Sequence, residues 1–217
     1  MNYMSKYLCI LALFIRNLLT PFLFSIPKYI HSPLQMIIIG LAYYFEKDKT
    51  DDFFISRKNL KRKIFIGIIL TPLFCGTEYI FDYWRGEAFT TFYWKSFFLL
   101  PVFVLTSGWR AGIYEELLYR SLLMGLLLRK FKNPIFPILI QGILFYVAHP
   151  RYLQAGSWGA GLMTLVTGLT FGIITYKTKS IIPTIIIHST INVYGLISMP
   201  FAEAFIKAIN AWGLKIL

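Results

Sequence analysis

Apolar residues fall into eight runs along the chain, broken by short polar or proline-marked segments. The runs cover about 1–26, 34–45, 64–81, 92–106, 111–128, 134–149, 162–176 and the residues from Pro183 onward. An α-helix needs about 20 mostly apolar residues to cross a bilayer. The pattern therefore predicts an all-α, polytopic bundle of about eight transmembrane spans. Pro27 and Pro33 mark the turn between the first two, and Pro183 falls in the first turn of the eighth, where a helix tolerates it. The first run lacks a small-residue cleavage site and continues past Pro21, so it reads as a retained helix. The seventh carries Gly168 and Gly172, a spacing that lets helix backbones approach closely. Beyond residue 200, Phe201, Phe205, Ala208 and Trp212 share one face, the pattern of an interfacial amphipathic helix.

Composition supports the membrane reading. Charged residues make up 15% of the chain, against about 25% in an average soluble domain. The net charge is +12, and the basic residues sit in short links between apolar runs. That is the placement of topology signals and anionic-lipid contacts, so membrane lipid is an expected partner and nucleic acid is not. The one long polar segment, 46–63, is expected to be a solvated cytoplasmic loop that only sets topology. Counting one crossing per run then puts the basic clusters at 129–132 and 177–179 on the opposite side, in conflict with the positive-inside rule, and leaves orientation open. Cys9 and Cys75 lie in apolar stretches and form neither a disulfide framework nor a zinc motif.

Against this apolar background, Y-E-E-L-L-Y-R at 114–120 stands out. A charge near the centre of a membrane helix costs ~2.5–3.5 kcal/mol on insertion scales. Glu116 and Arg120 are four apart with the acid first, the favourable order for a structural ion pair. Glu115 lies about 100° round an α-helix from Glu116 and is left for another partner. Two further polar groups sit in apolar helices. His149 closes F-Y-V-A-H, with Phe145 one turn before it, and His188 opens H-S-T-I-N, with Asn192 one turn after it. If the fifth and sixth helices are antiparallel neighbours, Glu115 and His149 share a membrane side, and one site gathers Glu115, His149, His188 and Asn192. His31, in the first link, is incidental.

Such a set suits hydrolysis. A carboxylate with an imidazole activates water, and histidine and asparagine donate hydrogen bonds to an oxyanion. Glu115, His149 and His188 equally suit a divalent metal such as zinc with one position open to water. Spacing does not choose between the two. There is no H-E-x-x-H and no serine nucleophile motif, since Ser189 points off the His188–Asn192 face.

E-E-x-x-x-R, F-x-x-x-H and H-x-x-x-N, in that order on successive membrane helices, resemble the CPBP (CAAX protease and bacteriocin-processing, Abi) intramembrane endopeptidases. The resemblance covers about 92–198. It implies peptide-bond hydrolysis within the membrane, with Glu115 and His149 on the water, and His188 and Asn192 on the oxyanion. Members of that family are often labelled metalloproteases; a glutamate-activated water without metal is the reading preferred here, with a divalent metal such as zinc as the alternative. The implied substrate is a membrane-associated protein or peptide: a prenylated CAAX-type tail, a leader peptide or a C-terminal sorting tail. The implied location is a multi-pass protein of the bacterial plasma membrane. The chain then divides into N-terminal helices with the polar loop (1–91), a catalytic helix core (92–199) and an amphipathic tail (200–217). Two other classes fit the same residues: a proton-coupled membrane transporter, which would favour internal repeats that the sequence does not show, and a non-catalytic membrane scaffold.

Overall fold

An apolar segment in lipid must satisfy its own backbone hydrogen bonds, and a helix does so within one segment. The computed structural model describes residues 3–15, 28–46, 51–56, 58–84, 104–149 and 158–197, and among these it holds seven helices and no strand. They are α1 (Tyr3–Phe14), α2 (Lys28–Tyr44), α3 (Leu60–Trp84), α4, α5 (Ile135–Val147), α6 (Trp158–Thr178) and α7 (Ile182–Ile197). Helix α4 is wound with π-type bonding over Val104–Leu123 and continues as α over Met124–Leu128. Most of the 92–106 run, the loop at 150–157 and the tail at 201–217 lie outside the described residues.

Two stretches are long and apolar enough to cross a membrane, Leu60–Phe81 and Gly159–Thr178. The first is only 6% buried, which separates it from the core helix of a soluble protein. Tyr3–Phe14, Gln35–Tyr44 and Ile135–Val147 are apolar but shorter.

Helix α7 packs along both α3 and α4, α5 along α6, and α1 along α2. Small residues set the closest approaches. A Cβ on Gly112 would lie 1.8 Å from Ser189 Oγ, and one on Gly142 would lie 2.6 Å from Leu169 Cδ2. A Cβ on Gly168 would lie 3.1 Å from Phe145 Cδ1, and one on Gly172 would lie 2.4 Å from Gln141 Nε2. The G-x-x-x-G pair of α6 thus serves the close contact with α5 that its spacing predicts.

Three sequence expectations need correction. The break expected between the 92–106 and 111–128 runs does not exist: residues 107–110 are helical, and 104–128 is one continuous element. The glycine-rich loop expected over 150–161 is shorter, because α6 already begins at Trp158. The polar segment 46–63 is more than a solvated loop. Phe53 and Phe54 are buried at 0% and 4% exposure. Ser121 Oγ donates to Phe53 O, and the Ile181 N–H donates to Phe54 O at 3.2 Å. Two aromatic side chains with apolar area to bury dock the turn at 51–54 between α4 and the start of α7. Around it, Arg129 Nη1 reaches Glu46 Oε2 at 2.7 Å, Arg129 Nη2 reaches Asp52 Oδ2 at 3.1 Å, and Ser5 Oγ donates to Glu46 Oε1 at 2.5 Å.

Candidate active site

Helix α4 presents Glu115, Glu116 and Arg120 to the bundle interior. Glu116 Oε1 and Arg120 Nη1 are 3.0 Å apart, with both side chains fully buried. A buried guanidinium needs more than one partner. The Arg120 guanidinium carbon lies 4.0 Å from the Phe145 ring centroid and 5.3 Å from that of Phe171, and Nη2 reaches Gly168 O at 3.5 Å. Carboxylate, ring faces and a carbonyl together hold the cation between α4, α5 and α6. The sequence reads Phe145 as a helix-face companion of His149; the structure also makes it a platform for Arg120.

Glu116 has a second partner. His188 Nδ1 lies 2.8 Å from the same Oε1 that Arg120 contacts, so that oxygen accepts and the Nδ1–H donates. His149 Nδ1 lies 2.7 Å from Phe145 O, an acceptor only, so it too donates. Both tautomers are thereby set, and in each neutral ring Nε2 carries the lone pair. The two Nε2 atoms face one atom: each is 3.8 Å from Glu115 Oε2. That exceeds a direct hydrogen bond and is a separation a water bridges.

The structure thus brings Glu115, Glu116, Arg120, Phe145, His149 and His188 into one cluster. Asn192 sits one turn further along α7 and gives one amide N–H to His188 O at 3.0 Å. Ser189 faces Gly112 and is turned away from the cluster. Side-chain exposure rises from 0% at Glu116 and Arg120, through 9% and 10% at Glu115 and His188, to 23% at His149.

One residue of the site escapes the sequence reading. Gln141 on α5 is fully buried, and its Nε2 donates to Gly168 O at 2.8 Å and to Ile138 O at 3.0 Å. It meets Arg120 at the same carbonyl and ties α5 to α6 beside the cluster. Its signal in the sequence is a lone amide in the apolar run I-L-I-Q-G-I-L.

The donor types of Glu115, His149 and His188 suit a metal, and their Nδ1 bonds would orient the rings for one. Among the described residues, however, no group of three His, Cys, Asp or Glu side chains is arranged to hold an ion.

The family model described as type II CAAX prenyl endopeptidase Rce1-like matches residues 96–194. No curated protein and no solved structure matches the chain. The matched segment contains all three motifs and α4 to α7 nearly whole. Residues 96–194, a little under half of the chain, are therefore similar to the type II CAAX prenyl endopeptidases of the Rce1-like family.

Proposed function

We propose that the protein is an intramembrane endopeptidase in which Glu115 is the general base. One observation carries this reading: Glu115 Oε2 lies 3.8 Å from both His149 Nε2 and His188 Nε2, at the junction of three helices. A water placed there is within reach of a carboxylate and of two imidazole nitrogens.

The reaction follows from those positions. The water oxygen attacks the scissile carbonyl carbon and passes a proton to Glu115, with His149 holding the water. The carbonyl oxygen takes up the negative charge. Asn192 has one amide N–H committed to His188 O and a second to offer. His188 donates from Nε2 only as the imidazolium, because its Nδ1–H is given to Glu116. The Glu116 carboxylate is placed to support that charge, and Arg120 anchors Glu116. Collapse of the intermediate breaks the C–N bond, and the proton on Glu115 goes to the departing amine. A divalent metal on Glu115, His149 and His188 would instead polarise the carbonyl and activate the water; no step here depends on one.

The substrate class is a membrane-associated protein or peptide, drawn from prenylated CAAX-type tails, leader peptides and C-terminal sorting tails. The protein itself is proposed to be a multi-pass protein of the bacterial plasma membrane. Residues 1–91 form supporting helices, 92–199 the catalytic core and 200–217 an interfacial tail.

The test compares membranes carrying wild type with membranes carrying Glu115→Gln, by mass spectrometry of new protein termini. Termini present with wild type and absent with Glu115→Gln support hydrolysis. Identical termini would leave a carrier or a non-catalytic scaffold as the reading, and altered uptake in the variant would mark the carrier.

A further inference from the structure

Helix α6 carries none of the candidate catalytic side chains, yet it meets the helices of both histidines. His149 follows α5, and α5 packs chiefly along α6 and only lightly against α4. Apart from Gln141, the α5 sequence I-F-P-I-L-I-Q-G-I-L-F-Y-V is apolar all round. Apolar helices in lipid gain little from one register over another, because lipid tails are as apolar as a neighbouring Leu. A buried polar group with one partner can select a register.

Gln141 supplies such a group. It is fully buried, and its Nε2 donates to Gly168 O of α6 at 2.8 Å and to Ile138 O at 3.0 Å. Both partners are carbonyl oxygens, so the amide must turn its NH2 end to them. Gly172 makes the approach possible, since a Cβ there would lie 2.4 Å from Nε2. Gln141 Oε1, by contrast, is buried with no hydrogen-bond partner among the described residues. An orphaned buried acceptor costs stability, so stability alone would favour an apolar side chain at this position.

Residues four apart share a helix face, and Gln141, Phe145 and His149 form one such stripe. The first bonds α6. The second places its ring 4.0 Å from the Arg120 guanidinium carbon and gives its carbonyl to His149 Nδ1 at 2.7 Å. The third faces Glu115 at 3.8 Å. Across the interface, Gly168 O also meets Arg120 Nη2 at 3.5 Å, and the Phe171 ring stands beside both Arg120 and His188. A longer polar contact joins α6 to α7: Thr175 Oγ1 lies 3.4 Å from Thr184 Oγ1, one turn before His188, with both residues fully buried.

Resting on the endopeptidase reading, we propose that Gln141 is a positioning residue for the hydrolysis. Its bond to Gly168 O sets the register of α5 on α6. That register holds Phe145 against Arg120 and His149 Nε2 at its distance from Glu115 Oε2. A misplacement of ~1 Å at a reacting centre can cost about 10²-fold in rate.

The test uses the full-length protein with Gln141→Met, which keeps the side-chain length and removes the donor. Purified wild type and variant are compared for kcat, KM and thermal midpoint on one polypeptide. The kcat per folded molecule is expected to fall by about 10–10²-fold, with KM within about threefold of wild type. A smaller fall in kcat, with or without a lower midpoint, overturns the inference, since a merely structural bond gives that result. A larger rise in KM overturns it too, by placing Gln141 in substrate binding. Should Gln141→Met not fold, Gly172→Ala displaces the same amide from the other helix and is judged by the same criteria.

A second readout needs no activity. In a Cys9→Ala, Cys75→Ala background, nitroxide labels are attached through Val147→Cys on α5 and Ile173→Cys on α6, both exposed positions. Pulsed EPR reads the distance between them. Adding Gln141→Met is expected to shift or broaden the distance distribution. An unchanged distribution overturns the inference and leaves hydrolysis standing. A shifted one, in a protein whose wild type gives no Glu115-dependent cleavage, keeps the register lock and refutes the endopeptidase reading.

Discussion

His188 gives its Nδ1–H to Glu116 Oε1 over 2.8 Å, and Arg120 reaches the same oxygen at 3.0 Å. Glu116 is therefore more than the structural partner of Arg120 that the i, i+4 spacing implies: it links the first and third motifs. Removing one member of a fully buried ion pair leaves the other uncompensated. Glu116→Ala and Arg120→Ala are each expected to destabilise the fold by ~3–5 kcal/mol. The double variant is expected to cost less than the sum, because neither charge is then left alone. Denaturation of the detergent-solubilised variants measures both, and additive losses would show that the two residues act separately.

Asn192 occupies a different energetic position. It is half-buried, and the bond it makes is to its own helix. Asn192→Ala is expected to leave the thermal midpoint close to wild type while lowering kcat by about 10²–10³, the usual cost of one oxyanion donor. Asn192→Asp should not restore the rate, since a carboxylate does not donate. Steady-state kinetics of the two variants decide the matter; a rise in KM alone would assign Asn192 to substrate binding.

The turn at 51–54 makes a packing prediction. A Cβ on Gly125 would lie 2.6 Å from Phe53 Cδ1 and 2.9 Å from the backbone oxygen of Asp52. The ring can shift, but the backbone cannot move without disturbing the Ser121–Phe53 hydrogen bond. Gly125→Ala is expected to destabilise by about 1–3 kcal/mol, as overpacking does. Limited proteolysis at 46–63 reads the release of the turn, and unchanged protection would contradict the docked arrangement.

Metal dependence is a separate question with a separate readout. If Glu115 acts directly on water, prolonged chelation leaves the rate unchanged and elemental analysis finds no stoichiometric metal in active protein. One equivalent of bound metal, lost together with activity on chelation, would make Glu115, His149 and His188 its ligands.

Much of this site is legible in the sequence because helical geometry is local. Four-residue spacings place Glu116 with Arg120, Phe145 with His149 and His188 with Asn192, whatever the rest of the fold does. Relations between helices are not local. Nothing in the motif spacings says that His188 bonds Glu116, or that Phe145 and Phe171 flank Arg120. Gln141 does not stand out in the sequence because one amide in an apolar helix carries no periodic signal. The 46–63 segment misleads for the opposite reason: its many charges mask Phe53 and Phe54, and burial of those two rings decides where it lies. S-G-W-R at 107–110 reads as a break because it combines glycine with polar residues, yet the helix runs through it.

The central claim is that Glu115 is the base. Its most direct test is the single-turnover cleavage rate of purified wild type and Glu115→Gln on the same polypeptide, with thermal midpoints compared in parallel. The substitution keeps size and hydrogen-bonding shape and removes only the ability to take the proton. The account predicts a rate lower by about 10²–10⁴ at an unchanged midpoint, the usual contribution of a general base. Cleavage within tenfold of wild type would contradict it.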